Sequence, residues 1–208
     1  MQHLTKLFKL IELTRSQPQY GYALAGIAKQ DLSDLAQHHY LVAFIAWQLA
    51  KNLQASGAQI SVEKVLEFAM IHDLPELLGG DISMPYAKAN PRAYRLAKAF
   101  ESENQRYLSK FFGSTAKHYK TLGQEIFKAK TDEAIIAKIA DYLEVVHYKE
   151  YVGMVTAGDI EMSSNKIRRN IKKLKDKVAN AELERFVAVW GQEMKTGKGR
   201  EFFEEAKR

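Results

Sequence analysis

An all-α fold, one helical domain of about seven helices, is what this sequence predicts, and three observations carry the prediction. Apolar residues recur at offsets of three, four and seven over long stretches, as one buried helix face requires. No stretch alternates apolar and polar residues in the manner of a half-buried strand. Only four prolines and twelve glycines interrupt 208 residues, which favours long helices over many short strands. No internal repeat or low-complexity linker divides the chain. Residues 1–208 therefore read as one domain, with a motif-bearing core at about 30–150 and C-terminal helices at about 160–205 packed on it.

Leu4 to Arg15 reads as an amphipathic helix, closed by the turn signal Ser16-Gln17-Pro18-Gln19. Tyr20 to Gly26 reads as irregular, two glycines bracketing an apolar cluster. From about Ser33 to Ser56, Leu35, Val42, Ile45, Leu49 and Leu53 line one helix face, and Gly57 stands where a C-terminal glycine is expected. Ser61 is a candidate N-cap for a helix from Val62 to about His72. Pro75 permits a fresh first turn and Gly79-Gly80 a bend before Asp81. Pro91 opens a helix running to Phe112, and Gly113-Ser114-Thr115 breaks it. Asp132 to Tyr151 is a strong helix, with Ile135, Ile136, Ile139, Leu143 and Val146 on its buried side. Helices from about Ser164 to Val178 and from Ala181 to Met194 complete the set.

The absence of cysteine excludes disulfides, thiolate metal sites, iron–sulfur clusters and a cysteine nucleophile. The first twelve residues mix charges into their apolar positions, unlike a signal peptide, and no stretch nears the roughly 20 apolar residues of a membrane span. A cytoplasmic, membrane-free protein is the expectation. The net charge of +6 and pI near 9.3 favour anionic partners without choosing among them.

The chemistry gathers around Ile71-His72-Asp73-Leu74-Pro75-Glu76-Leu77-Leu78-Gly79-Gly80-Asp81-Ile82. A His-Asp doublet closes an apolar helix; His38 lies upstream in the first turns of another, and Asp141 lies mid-helix downstream. Within a regular helix His72 and Asp73 point about 100° apart, but at a helix end both can reach one ion. Imidazole and carboxylate together suit one divalent ion, among Mn, Fe, Co, Ni, Zn and Mg. Two His and two Asp leave coordination positions open to water and substrate, as a catalytic ion needs. Glu76, one turn beyond Asp73, is placed to move a proton, and Asp81 to hold a water or a substrate hydroxyl.

These residues resemble the HD-domain metal-dependent phosphohydrolases, whose order is His, then His-Asp, then Asp. More narrowly they resemble the 5′-deoxynucleotidase-like branch. Ser33-Asp34-Leu35-Ala36-Gln37-His38 is similar to its first motif, His72 to Asp81 to its His-Asp-x-x-Glu-x-x-x-Gly-Asp motif, and Lys138-Ile139-Ala140-Asp141 to its third. The likeness covers roughly residues 5–150. It implies an all-α fold, one ion held by His38, His72, Asp73 and Asp141, and phosphomonoester hydrolysis on a nucleoside or deoxynucleoside 5′-monophosphate. It also implies Glu76 as acid/base and Asp81 as the orienting residue. Val42-Ala43 sets the register on His38 rather than His39. The branch's upstream Arg-aromatic pair has no counterpart: that region reads Tyr20-Gly21-Tyr22-Ala23-Leu24-Ala25, and Arg15 and Lys29 fall out of register. Tyr20 or Tyr22 is then the candidate for stacking on a base, and lysines around the cleft for the missing charge.

Other phosphates (a triphosphate, a cyclic nucleotide, a phosphometabolite) would suit the same ion. A nucleic-acid-associated role would instead use the basic run Lys166 to Val178, where Ile167, Ile171, Leu174 and Val178 mark an apolar face and the cations a solvated one. That run lacks interleaved aromatics, which argues against single-strand recognition. Lys195 to Arg200 reads as a flexible turn, His118 as exposed, and His147 as facing away from the ion. A homodimer through the terminal helices is a possible assembly.

Overall fold

The computed structural model describes residues 3–196, and within them the chain forms ten α-helices, eight of seven residues or more. They are α1 (Leu4–Glu12), α2 (Tyr20–Ala23), α3 (Leu35–Ala55), α4 (Val62–Ile71), α5 (Met84–Ala89), α6 (Pro91–Leu108), α7 (Ala116–Lys128), α8 (Asp132–Tyr151), α9 (Ala157–Ile171) and α10 (Lys177–Thr196). No strand occurs among the described residues; the one extended contact pairs Pro18 with Asp34.

The centre is a packed trio. α3 presents Val42, Ala46 and Ala50 at four-residue spacing, small enough to bring α8 close, and all three are fully buried. α4 adds Val65, Phe68 and Ala69, and α8 adds Ile135, Ile136, Ile139, Leu143 and Val146. α9 and α10 lie against this core through Ile160, Ile167, Ile171, Leu183, Val187 and Trp190. α6 and α7 close another side around Leu108, Tyr119, Leu35 and Leu74. Caps set the starts of these helices. The Asp34 carboxylate accepts from Gln37 N–H, Ser61 Oγ from Lys64 N–H and Thr131 Oγ1 from Ala134 N–H, while Thr156 and Asp159 form a reciprocal capping box.

Four expectations are corrected. Helix α7 was not anticipated: its apolar face is only Tyr119, Leu122 and Ile126, set among polar residues and around Gly123. Tyr20–Ala23 is a short helix rather than irregular. The first helix ends at Glu12 and continues to Ser16 as a tighter 3₁₀ turn. The basic run is not one helix over 164–178. α9 stops at Ile171, because Asp132 accepts the N–H groups of Lys175 and Asp176 and turns the chain, and Asp176 then caps α10. The apolar spacing persists through the break only because Leu174 stays buried in the turn; Val178 is exposed. In the expected C-terminal turn, Lys195 and Thr196 finish α10 and the rest lies outside the described residues.

Asp176 joins two elements: it accepts from Ala179 N–H at the start of α10 and from Gln59 N–H before α4, each at 2.8 Å. Those N–H groups hold its carboxyl below the ordinary carboxylate range. A depressed folded-state pKa stabilises above the unfolded value and loses its contribution as pH falls through the folded value. Asp176→Ala is expected to cost about 1 kcal/mol at neutral pH, measured by urea denaturation, with a smaller penalty at pH about 3.

Candidate metal centre

The four expected ligands come together at one end of the central trio. His38 sits one turn before Val42 on the buried ridge of α3, and Asp141 one turn after buried Ala137 on α8. His72 follows α4, still helical in backbone, and Asp73 departs from helical geometry (φ −112°, ψ 11°), so the doublet can turn both side chains inward. One donor atom from each of His38, His72, Asp73 and Asp141 lies within 4.8 Å of the others. His38 Nε2 is 3.1 Å from His72 Nε2, 3.5 Å from Asp73 Oδ2 and 3.6 Å from Asp141 Oδ1, and His72 Nε2 is 3.3 Å from Asp73 Oδ2. Such separations suit donors each about 2 Å from one ion.

The hydrogen bonds behind the imidazoles decide what fits. His72 Nδ1 lies 2.7 Å from the Ala69 carbonyl, which only accepts, so Nδ1 carries the proton. His38 Nδ1 lies 2.8 Å from Glu144 Oε2, which also accepts from the Tyr22 hydroxyl at 3.3 Å. Both Nε2 lone pairs therefore face each other across 3.1 Å. Only a positive species, a proton or a metal ion, relieves that opposition, so the donor set fits a divalent cation.

Electrostatics agree. Burial disfavours charge on His38, yet Asp73, Glu144 and Asp141 outweigh it and raise its pKa well above the ordinary value. His72 is raised likewise, burial being outweighed mainly by Asp73. Burial opposes ionisation of Asp73, but His72 and His38 prevail and hold it well below the carboxylate range. Asp141 is raised, first by burial and then by Asp73. The centre attracts positive charge.

A model of the HD domain family matches residues 15–182, a span holding all four candidate ligands. The chain belongs to the HD domain family. Its curated relatives include a 5′-deoxynucleotidase of Dictyostelium discoideum, 26% identical over 148 residues, which are 70% of this chain and 75% of that protein. A 5′-deoxynucleotidase of Yersinia pestis (strain Pestoides F) is 28% identical over 160 residues, 76% and 78% of the two chains. Among solved structures, a conserved hypothetical protein of Pyrococcus furiosus superposes with TM-score 0.65 at 26% identity, covering 92% of this chain and 99% of that one. A Magnetospirillum magnetotacticum structure described as "Predicted metal-dependent phosphohydrolase" shares the fold, with TM-score 0.61 and 16% identity over 92% and 95% of the chains. This HD protein is a metal-dependent phosphohydrolase.

Around the HD centre the remaining candidates take definite places. Glu76 lies in the 3₁₀ turn Leu74–Leu78, which Asn104 of α6 secures by donating to the Pro75 carbonyl at 3.0 Å. Burial, then Asp73, Asp81 and Glu101, raise its carboxyl well above the ordinary range. Asp81 accepts from Gly21 N–H through both oxygens at 3.1 Å, tying the start of α2 to the centre; burial raises its pKa against that bond. The glycine pair before it has two separate reasons. A Cβ on Gly79 would strike the Phe100 ring, and Gly80 holds φ +76° with Gln17 and Tyr20 against it.

The stacking role expected of Tyr22 is overturned. Tyr22 is only 6% exposed, its ring packs on Tyr148, and its hydroxyl supports Glu144. Tyr20 is exposed beside Gly80. Arg15 and Lys29 line a cleft with Pro18, Tyr20 and Asp34, and Arg15 is paired with Glu12. His39 is not solvent-facing: its ring is 5.0 Å from that of His72, its Nε2 is buried without a hydrogen bond, and burial and then His72 push its pKa down to about 3. His118 is exposed and bonded to Glu67, and His147 accepts from Trp190 Nε1 far from the ligands.

Sequence reasoning missed Glu144. The available signal was an acid on the ridge Ile136-Ala140-Glu144, three residues after Asp141 and otherwise fully apolar. Removal of Asp73 by Asp73→Ala is expected to abolish stoichiometric metal binding, measured by elemental analysis after gel filtration. Glu144→Gln, which weakens the acceptor behind His38, is expected to lower metal affinity about 10- to 100-fold in a chelator competition.

Proposed function

We propose that the protein hydrolyses nucleoside or deoxynucleoside 5′-monophosphates to nucleoside and inorganic phosphate. The reading is carried by one observation: the His72-Asp73-x-x-Glu76-x-x-x-Gly80-Asp81 segment lays two further acids beside the four donors, in a chain whose curated relatives are 5′-deoxynucleotidases.

His38, His72, Asp73 and Asp141 would hold the ion. When bound, a divalent ion supplies Lewis-acid activation of water and of a phosphoryl oxygen. The chain's own residues do the rest. Glu76, whose carboxyl burial and the surrounding carboxylates raise well above the ordinary range, donates its proton to the 5′ oxygen as the P–O bond breaks. Water adds to phosphorus, and its proton passes to the carboxylate that Glu76 has become. Asp81, fixed by Gly21 N–H, keeps lone pairs to orient the attacking water or a sugar hydroxyl. Tyr20, exposed beside Gly80, stands where a base can lie on it. The turn of Leu74–Leu78, clamped by Asn104, keeps Glu76 in place between substrates.

The deciding experiment is phosphate release from a panel of nucleoside and deoxynucleoside mono-, di- and triphosphates, with protein reloaded with Mn, Co, Zn or Mg. Release is expected from monophosphates alone, dependent on metal and lost in Asp73→Ala. Turnover of triphosphates instead would overturn the substrate assignment. Glu76→Ala is expected to retain metal and lose at least about 100-fold in kcat; normal turnover by that variant would remove Glu76 from the proton path.

A further inference from the structure

The acids of the centre leave one requirement unmet. A phosphomonoester dianion has to approach Asp73, Glu76, Asp81 and Asp141, and on the side where the sequence lacks an arginine Arg15 is paired with Glu12 and lies with Lys29 along a cleft whose lining holds none of these acids. The structure supplies cations from the opposite side, out of the basic stretch that sequence reasoning treated as a solvated face.

Lys166 of α9 turns back toward α8. Its ammonium stands over the ring of Tyr142, 5.1 Å from the centroid, and Tyr142 directly follows Asp141. Tyr142 is partly buried and Asn170 lies beside its hydroxyl, so the ring is held and the lysine is held on it. The charged groups around Lys166 are Lys88, Asp141, Arg169 and Lys149, three cations and one metal-ligating carboxylate. No carboxylate among the described residues lies within 4 Å of its Nζ. Burial first, and then Lys88, press its pKa below the ordinary lysine value, the sign of a cation short of negative partners. Lys88 reaches the same place from α5, its Nζ 3.7 Å from Met162 Sδ of α9. Lys98 of α6, a cation that senses Asp73, is by contrast bonded to Glu101.

We propose that Lys166, steadied on Tyr142 and flanked by Lys88 and Arg169, binds the phosphate of the substrate beside the metal centre and so does the work of the absent arginine. The assignment rests on the phosphomonoesterase reading above. A phosphate dianion there relieves the repulsion within the Lys88–Lys166–Arg169 group and balances the carboxylates around the ion.

The test uses the full chain loaded with Mn, with inorganic phosphate as the probe, in calorimetry and as a competitive inhibitor. Lys166→Met is expected to weaken phosphate binding about tenfold or more, the usual consequence of losing a charged hydrogen-bond donor. It should raise KM for the best monophosphate more than it lowers kcat, with metal content and melting temperature unchanged. Lys166→Arg is expected to restore phosphate affinity, and Lys98→Met to alter it less than Lys166→Met does. Wild-type phosphate affinity in Lys166→Met overturns the proposal. So does loss of metal together with phosphate, or an absence of phosphate binding by the wild-type protein. Lys166-dependent phosphate binding by a protein that turns over no nucleoside monophosphate would keep the subsite and reject the nucleotide reading.

Discussion

Two imidazole lone pairs facing each other across 3.1 Å form the constraint on which the site depends. Neither ring can rotate out of the conflict, because each has committed its Nδ1 proton: His72 to the Ala69 carbonyl and His38 to Glu144. Glu144 is itself 2% exposed, inside the core, where an unpartnered carboxylate would be costly. It is retained because His38 and Tyr22 share one of its oxygens. The pair thus sets the tautomer of a ligand, and Tyr22 brings the N-terminal segment into the same network. Tyr148, packed at a tilt on Tyr22, accepts from Ser33 N–H at 2.8 Å and donates to the Asp31 carbonyl, fastening the approach to α3 as well.

The packing of the bundle delivers the ligands to that point. Val42, Ala46 and Ala50 carry α3 against α8, and one turn toward the N-terminus the same ridge ends in His38. Phe68 occupies the centre of the core, and one turn on, its ridge ends in His72. Ala137 does the same for Asp141 on α8. Each ligand is the next position on a buried stripe, where the stripe runs out at the end of the trio. A rigid apolar core therefore positions the polar end at little cost in flexibility, which is what a preorganised ion site requires.

The cleft has two electrostatic sides. Asp73, Glu76, Asp81 and Glu101 crowd one, and repulsion from the other three together with burial raises Glu76 well above the ordinary carboxylate range. Lys88, Lys166 and Arg169 crowd the other, converging from α5 and α9. A metal ion and a dianionic phosphate are complementary to that division. The break of the basic run at Lys172–Asp176 contributes to it, since ending α9 at Ile171 separates Lys166 and Arg169 from the cations of α10.

The amino-acid sequence by itself determined the all-α class, the course of α3, α4 and α8 and the four candidate ligands, because helical periodicity and a short ligand motif are local properties of the chain. Ser61 as a cap, the helix end at His72-Asp73 and the bend at Gly79-Gly80 are local in the same sense. Only the tertiary structure decided what depends on residues far apart in the chain. Tyr22 left the list of open aromatic faces because Tyr148, far along in α8, covers it, and Glu144 entered the metal centre because its ridge meets α3. α7 escaped notice because its three apolar residues acquire partners only in the fold, Leu122 and Ile126 in the main core and Tyr119 against Phe112. Lys166 reads as one more solvated cation until α9 folds back over Tyr142. Burial and pairing are set by contact, and contact between distant segments is the one thing that spacing along the chain does not encode.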